Sequence, residues 1–429
     1  MGQRMIQVDE RPSLLKSLPL SLQHLFAMFG STVLVPILFH IDPGTILLMN
    51  GIGTLIYLFI SKGRIPAYLG SSFAFISPVT VVLARYSYHD ALGGFIVVGL
   101  IFIIVSLIIK AVGTRWIDVV FPPAAMGSIV AVIGLELVPV AAGMAGFINN
   151  TGAKNWAIDP KTVTVSILTI IITVLGWVLF RGFLKIIPIL IGIVAGYIIA
   201  ASMNMIDFTT LEKAPWFSVP HFYAPSFHLS SIIIIVPAAL VVIAEHIGHL
   251  VVTGKIVGKD LVKDPGLDRS MLGNGVSTVI SGFVGSTPNT TYGENIGVLA
   301  ITRVFSTWVI GGAAILAILL SFVGKLSALI SLIPSPVMGG ISILLFGVIA
   351  ASGLRILVEA NVDFAKSQNI ILASVILGIG ISGAALNFHI GQALISLKGM
   401  GLATVVAIIL SLFFKLINVL RISNDLDED

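Results

Sequence analysis

Apolar positions along this chain gather into runs of roughly twenty residues, the length that crosses a bilayer as a helix. Short clusters of Gly, Pro, Asn, Ser and charged residues separate them, without the two-residue alternation of an outer-membrane barrel strand. Fourteen segments begin near residues 18, 42, 66, 89, 118, 161, 184, 229, 270, 287, 303, 327, 367 and 400. The pattern predicts an all-α polytopic membrane protein with fourteen transmembrane segments. Segments 3 and 10 break the pattern: Ala67 to Pro78 and Thr287 to Gly293 are short and rich in Gly, Ser, Thr, Asn and Pro. Non-helical backbone at membrane depth survives only inside protein or along a cavity, because lipid offers its N–H and C=O groups no partner. Two short extended stretches should therefore face each other, each followed by a half-helix, one starting near Ala74 and the other near Glu294. The half-helix N-termini would offer free N–H groups and positive dipole ends to a ligand.

Composition sharpens the class. Hydrophobic residues make up 57% of the 429 positions, charged residues only 10%, and mean hydropathy is +1.07, against about 25% charged residues in ordinary globular domains. The net charge of +4 follows from membrane topology, and no nucleic-acid partner is expected. With both termini cytoplasmic, about 18 Lys and Arg residues fall on inside loops and 6 on outside loops, a positive-inside bias. Cysteine is absent, which removes disulfides, thiolate metal sites and thiol nucleophiles. The first 16 residues are polar and mixed in charge, and the apolar run after them contains Gln23 and His24 and lacks an A-x-A site. It reads as a first span rather than a signal peptide.

The chain also echoes itself. Val120-Phe-Pro-Pro-Ala-Ala-Met-Gly-Ser-Ile129 resembles Leu332-Ile-Pro-Ser-Pro-Val-Met-Gly-Gly-Ile341, and Gly70-Ser-Ser72 resembles Gly285-Ser-Thr287, at offsets of 212 and 215 residues. These echoes pair segment 5 with 12 and segment 3 with 10. A unit of seven spans is odd, so the second copy must lie upside down, a 7+7 inverted repeat of the kind that builds secondary transporters.

Two glutamates carry the candidate chemistry. A carboxylate at bilayer depth costs several kcal/mol or changes its protonation state, and so marks a functional site. Glu245 and His249 share one helix face at i, i+4, where the histidine can orient and stabilise the carboxylate. Glu294 opens a half-helix, its charge favoured by the dipole and disfavoured by dehydration, so substrate or gate movement can tip its protonation. Phe73 could stack on a flat ligand or simply fill the core. Gln23 and His24 should cross-brace the site, Glu136 should be interfacial, and the acidic tail Asp425 to Asp429 should be solvated. Glu245-His-x-x-His249 invites a zinc reading, but a metalloprotease helix needs His-Glu-x-x-His, and no third ligand is evident. No metal site is expected.

Glu294-Asn-Ile-Gly-Val-Leu-Ala-Ile-Thr-Arg303 resembles the signature of the nucleobase–ascorbate transporter family (nucleobase:cation symporter-2), [Gln/Glu/Pro]-Asn-x-Gly-x4-Thr-[Arg/Lys/Gly]. The Gln23-His24 pair matches that family's second hallmark, and the likeness runs over nearly the whole chain. The resemblance implies a transporter, not an enzyme: proton-coupled symport of a nucleobase, with the proton as coupling ion and no cofactor. It implies a homodimer in the bacterial inner membrane. Glu245 and Glu294 would contact the base, backbone at Phe73 and Gly293 would add hydrogen bonds, and His249 would tune Glu245, with Gln23, His24 and Asn295 in support. Relatives specific for xanthine typically show Gln-Asn at the motif head, so Glu294-Asn295 favours uracil. A core domain would comprise residues 18–114 and 229–326, and a gate domain residues 115–228 and 327–421. Tails would occupy residues 1–17 and 422–429. The alternatives are a purine or xanthine carrier, an anion carrier of the same architecture, and a membrane-embedded metallohydrolase.

Overall fold

A computed structural model describes residues 5–149, 152, 154–390 and 393–423. In chain order the helices are α1 (Leu14–Ala27), α2 (Phe29–Phe39), α3 (Pro43–Ile60), α4 (Ile76–Leu83), α5 (Tyr88–Val112), α6 (Arg115–Val120), α7 (Pro123–Met144), α8 (Pro160–Leu179), α9 (Pro188–Ser202) and α10 (Thr209–Lys213). They continue as α11 (Leu229–Ile235), α12 (Pro237–Val257), α13 (Leu267–Val284), α14 (Gly293–Thr302), α15 (Thr307–Ser321), α16 (Gly324–Ser331), α17 (Ser335–Glu359), α18 (Ser367–Ile381) and α19 (Gly399–Val419). Two short antiparallel pairs interrupt them: β1 (Leu69–Ser71) with β2 (Asn289–Thr291), and β3 (Ala385–Ile390) with β4 (Ala393–Lys398). Among the described residues, eight helical stretches are long and apolar enough to cross a membrane, and the protein is a helical, multi-pass membrane protein.

Local chemistry sets the helix starts. Asp159 caps α8: its carboxylate accepts from the Thr162 hydroxyl and from the amides of Thr162 and Lys161. Those bonds, the Thr162 hydroxyl first, hold it below the usual carboxylate range. The echoed segments open alike, α7 after Pro122 with Pro123 as its first residue and α17 after Pro334 with Pro336 in its first turn, where proline forfeits no helical bond. These two helices run antiparallel with backbones nearly touching. A Cβ at Gly134 would strike the Phe346 carbonyl and the Ala350 amide, and one at Gly353 would strike the Ala131 amide and the Gly127 carbonyl. Contacts sort the helices into two groups. In one, α3, α5, α13 and α15 pack together with α1; in the other, α7, α8, α9, α17, α18 and α19 do.

Several sequence expectations need correction. The stretch between the last two apolar segments, expected as a connecting loop, is the β3–β4 hairpin, and the alternation of Leu386, Phe388 and Ile390 with Asn387 and His389 is its signal. The N-terminal stretch, expected as a tail, is tied to the body: Ile6 exchanges backbone bonds with Arg303 and Phe305, Thr307 N–H donates to the Val8 carbonyl, and Arg11 lies over the Trp308 ring at 3.6 Å. Glu136 is partly buried two turns before the end of α7, its carboxylate accepting the Met400 N–H at 2.6 Å. Asp425 to Asp429 and Arg4 lie outside the described residues.

The α7–α17 contact predicts that Gly353→Val lowers thermal stability by about 1–3 kcal/mol through overpacking. Gly378→Ala, where a Cβ meets nothing within 4 Å, should be near neutral. Thermal unfolding of the purified protein in detergent compares the two.

Candidate functional site

The site starts from two stretches of backbone that cannot be helical and cannot be left unpaired. In the β1–β2 pair, Leu69 faces Thr291, Gly70 faces Thr290 and Ser71 faces Asn289. The ladder extends at both ends, with Ser72 N–H donating to the Pro288 carbonyl at 3.0 Å and Tyr292 N–H to the Tyr68 carbonyl at 3.1 Å. Side chains from flanking helices satisfy what the strands cannot. Thr54 of α3 accepts from Leu69 N–H at 2.9 Å. Asn289 donates through Nδ2 to Ser277 at 2.5 Å and Ser281 at 3.1 Å, and its N–H reaches Thr278 at 3.2 Å, all on α13. Sequence reasoning missed these supports. Asn274, Ser277, Thr278 and Ser281 form a polar stripe at helical spacing within an apolar chain, which was the available signal.

After each strand the chain turns into a half-helix, as expected: a 3-10 turn at Phe73–Phe75 leading into α4, and α14 starting at Gly293. Between them and α12 lies a cavity of about 20 Å³ bordered by Phe73, Glu245, His249, Gly293 and Glu294 on one side. Val130 of α7 and Val348, Ile349 and Ser352 of α17 close it from the other. Glu245 and Glu294 lie near enough to interact electrostatically. Each has a buried carboxylate oxygen, Oε2 of Glu245 and Oε1 of Glu294, without a hydrogen-bond partner. Buried polar atoms are nearly always paired, so two orphan acceptors on one cavity mark a place built for donors.

His249 is in the cavity wall but does not hold Glu245. Its Nδ1 bonds the Thr291 carbonyl at 2.8 Å and the Thr291 hydroxyl at 3.1 Å. The carbonyl at the end of β2 captures the ring before the carboxylate can. A carbonyl accepts only, so Nδ1 carries the proton and Nε2 is left as an acceptor beside Gly293. His246 turns the other way, to Ser270 at 2.8 Å, which also bonds Tyr57 at 2.6 Å. The two histidines therefore do not converge on one ion. Asn295 donates through Nδ2 to the His24 carbonyl at 3.1 Å and ring Nδ1 at 3.2 Å, bracing α14 from behind. Gln23 does not join them and borders a separate cavity with Phe183, Lys185 and Thr302. The Phe73 ring packs edge-on against Phe346 of α17, centroids 5.7 Å apart.

Three cavities follow one face of α12. Ala238 borders one of about 190 Å³, Glu245 the small central one, and Val252 a third of about 300 Å³. Seven residues, two helical turns, separate each from the next. The central carboxylate thus stands midway between the other two cavities along α12.

The profile of a permease family matches residues 15–388. This chain belongs to that permease family. The permease is 66% identical over 425 residues to the uracil permease of Paenibacillus larvae, covering 99% of this chain and all of the relative. It is 66% identical over 421 residues to the uracil permease of Escherichia coli K12, covering 98% and 96%, and 48% identical over 398 residues to that of Bacillus subtilis, covering 91% of each. Among solved structures, the transmembrane domain of the cyanobacterial bicarbonate transporter BicA is similar at a TM-score of 0.62 and 15% identity, covering 96% and 99%. Murine Slc26a9, an anion transporter in its inward-facing state, is similar at 0.69 and 12%, covering 95% and 69%. At such identities the likeness concerns the fold of the permease alone.

The supports behind the strands give a test. Thr54→Val and Asn289→Ala should each cost about 1–3 kcal/mol of stability by orphaning buried polar groups, and Thr54→Ser should retain most of it. Melting curves of the purified variants report the ranking.

Proposed function

We propose that this chain is a proton-coupled symporter that carries uracil across the bacterial inner membrane into the cytoplasm. The observation that carries the reading is the pair of orphan carboxylate oxygens, on Glu245 and Glu294, facing one small cavity where two half-helices begin. Near full-length identity of 66% to uracil permeases supports the choice of base.

Uracil is a flat ring that presents two N–H donors and two carbonyl acceptors. Glu245, Glu294 and Nε2 of His249 accept from the N–H groups. Backbone N–H groups at Phe73, Gly293 and Glu294 donate to the carbonyls. A base lacking one of these groups leaves a dry polar atom, at about 1–3 kcal/mol each, and selectivity follows from that mismatch. Two carboxylates cannot both hold charge cheaply in one dry cavity, so one carries a proton when the base is bound. Proton and base thereby travel together, and loss of the proton inside releases the base.

The two helix groups serve as core and gate, residues 18–114 with 229–326 and residues 115–228 with 327–421. They belong to fourteen spans in a 7+7 inverted repeat, with both termini cytoplasmic and two copies forming a homodimer. The matching starts of α7 and α17, their antiparallel contact and the crossing of β1 with β2 support the repeat. The core carries the base, and the three cavities along α12 are its route past the gate. An anion carrier is disfavoured, because two carboxylates and no Lys or Arg border the central cavity.

Glu294→Ala should lower uracil binding and uptake more than tenfold, about 1.4 kcal/mol or above; near-normal uptake of radiolabelled uracil would refute the site. Glu245→Gln should weaken binding or uncouple proton from base, read as the proton-to-uracil flux ratio in proteoliposomes. Uptake by the unmodified protein should collapse with a protonophore, compete with unlabelled uracil, and ignore external sulfate and xanthine. Sulfate or xanthine competition would return the choice to the rival carriers.

A further inference from the structure

Glu136 lies outside the central cavity, yet three elements are built around its carboxylate. Its Oε2 accepts the Met400 N–H at 2.6 Å in the first turn of α19. Gly399, just before, has φ of +53°, and a Cβ there would strike the same carboxylate. Lys398 adds a favourable charge, and Ser77 of α4, which borders one cavity with Lys398 and Met400, lies close enough to the carboxylate to interact with it. Ser77, Lys398, Met400 and Ala238 border the cavity of about 190 Å³ at that end of the α12 path. Ala74, at the same cavity, adjoins Phe73, which borders the central one. The start of α19 is therefore tied to the half-helix carrying the substrate-side backbone, through one carboxylate.

We propose that Glu136 is a positioning residue for transport: it docks the α19 start against α7 and, through Ser77, latches α4 so that this end of the path stays closed over the central cavity. The latch rests on the reading of the chain as an alternating-access carrier. Opening breaks the Ser77 contact and leaves the Met400 bond intact, so the two partners of one carboxylate have separable roles. A mere cap of α19 would need Met400 alone, and Ser77 would then be silent.

The chain has no cysteine, so introduced thiols read cleanly. Full-length protein in lipid nanodiscs, with both faces reachable, is labelled with a maleimide at Ala238→Cys or at Val252→Cys. Without substrate, Ser77→Ala and Glu136→Ala should each raise labelling at position 238 about fivefold and lower it at 252 by a similar factor, the reciprocal shift of a two-state carrier. Glu136→Gln should fall between, since its amide oxygen still accepts from Met400. Met400 docking makes Glu136→Ala the less stable variant, and Ser77→Ala keeps the test valid if it misfolds. Unchanged labelling in folded Ser77→Ala, or a rise at both reporters together, would overturn the latch. Because the readout needs no substrate, failure of uracil to bind would sink the transport reading while leaving this result legible.

Discussion

Everything in this molecule turns on how two runs of extended backbone are satisfied at a depth where water and lipid cannot help. The β1–β2 ladder pairs them with each other, and Thr54, Ser277, Thr278 and Ser281 take up the remaining valences. Only because those groups are met can the Phe73–Phe75 turn into α4, and α14, begin inside the protein. The same arrangement places Glu245, on α12, against both half-helix starts. Remove the pairing and neither the cavity nor the exposed dipole ends has a reason to exist.

The cavity on this scaffold is marked by its acceptors more than by its shape. Two carboxylates and one imidazole nitrogen line it as acceptors beside the starts of two half-helices. Thr291 fixes the tautomer of His249, so strand geometry sets which ring nitrogen faces the cavity. The backs of these elements are equally determined. Asn295 ties α14 to His24, and Tyr57 with Ser270 holds His246 away from the cavity. Position along α12 then decides which residue meets which cavity.

Much of this was legible in the chain. Carboxylates in apolar surroundings, Gly- and Thr-rich interruptions and the Pro-rich echo located both half-helices and the facing strands, since each departs sharply from an apolar helix. What escaped was polar chemistry that looks ordinary locally. The i, i+4 spacing of Glu245 and His249 correctly put both on one face, but spacing cannot reveal a competing carbonyl contributed from 42 residues away. Gln23 neighbours His24 in sequence, yet one step along a helix turns a side chain by about 100°, into another cavity. Glu136 read as interfacial because its partners, Met400 and Ser77, lie in distant segments. The β3–β4 hairpin was hidden by its length, short against the spans on either side.

The pairing of β1 with β2 has a consequence for biosynthesis. The partner residues stand about 220 positions apart in the chain, so neither half can complete its own broken span. At synthesis rates of about 5–20 residues per second, the first strand waits roughly 10–40 s for the second to emerge. During that interval its amides and carbonyls have no mate inside the bilayer, and the nascent chain must either keep that hairpin of polypeptide at the insertion machinery or shelter it against neighbouring helices. The site of the carrier therefore forms only after the second strand has been made, even though the first spans are inserted early.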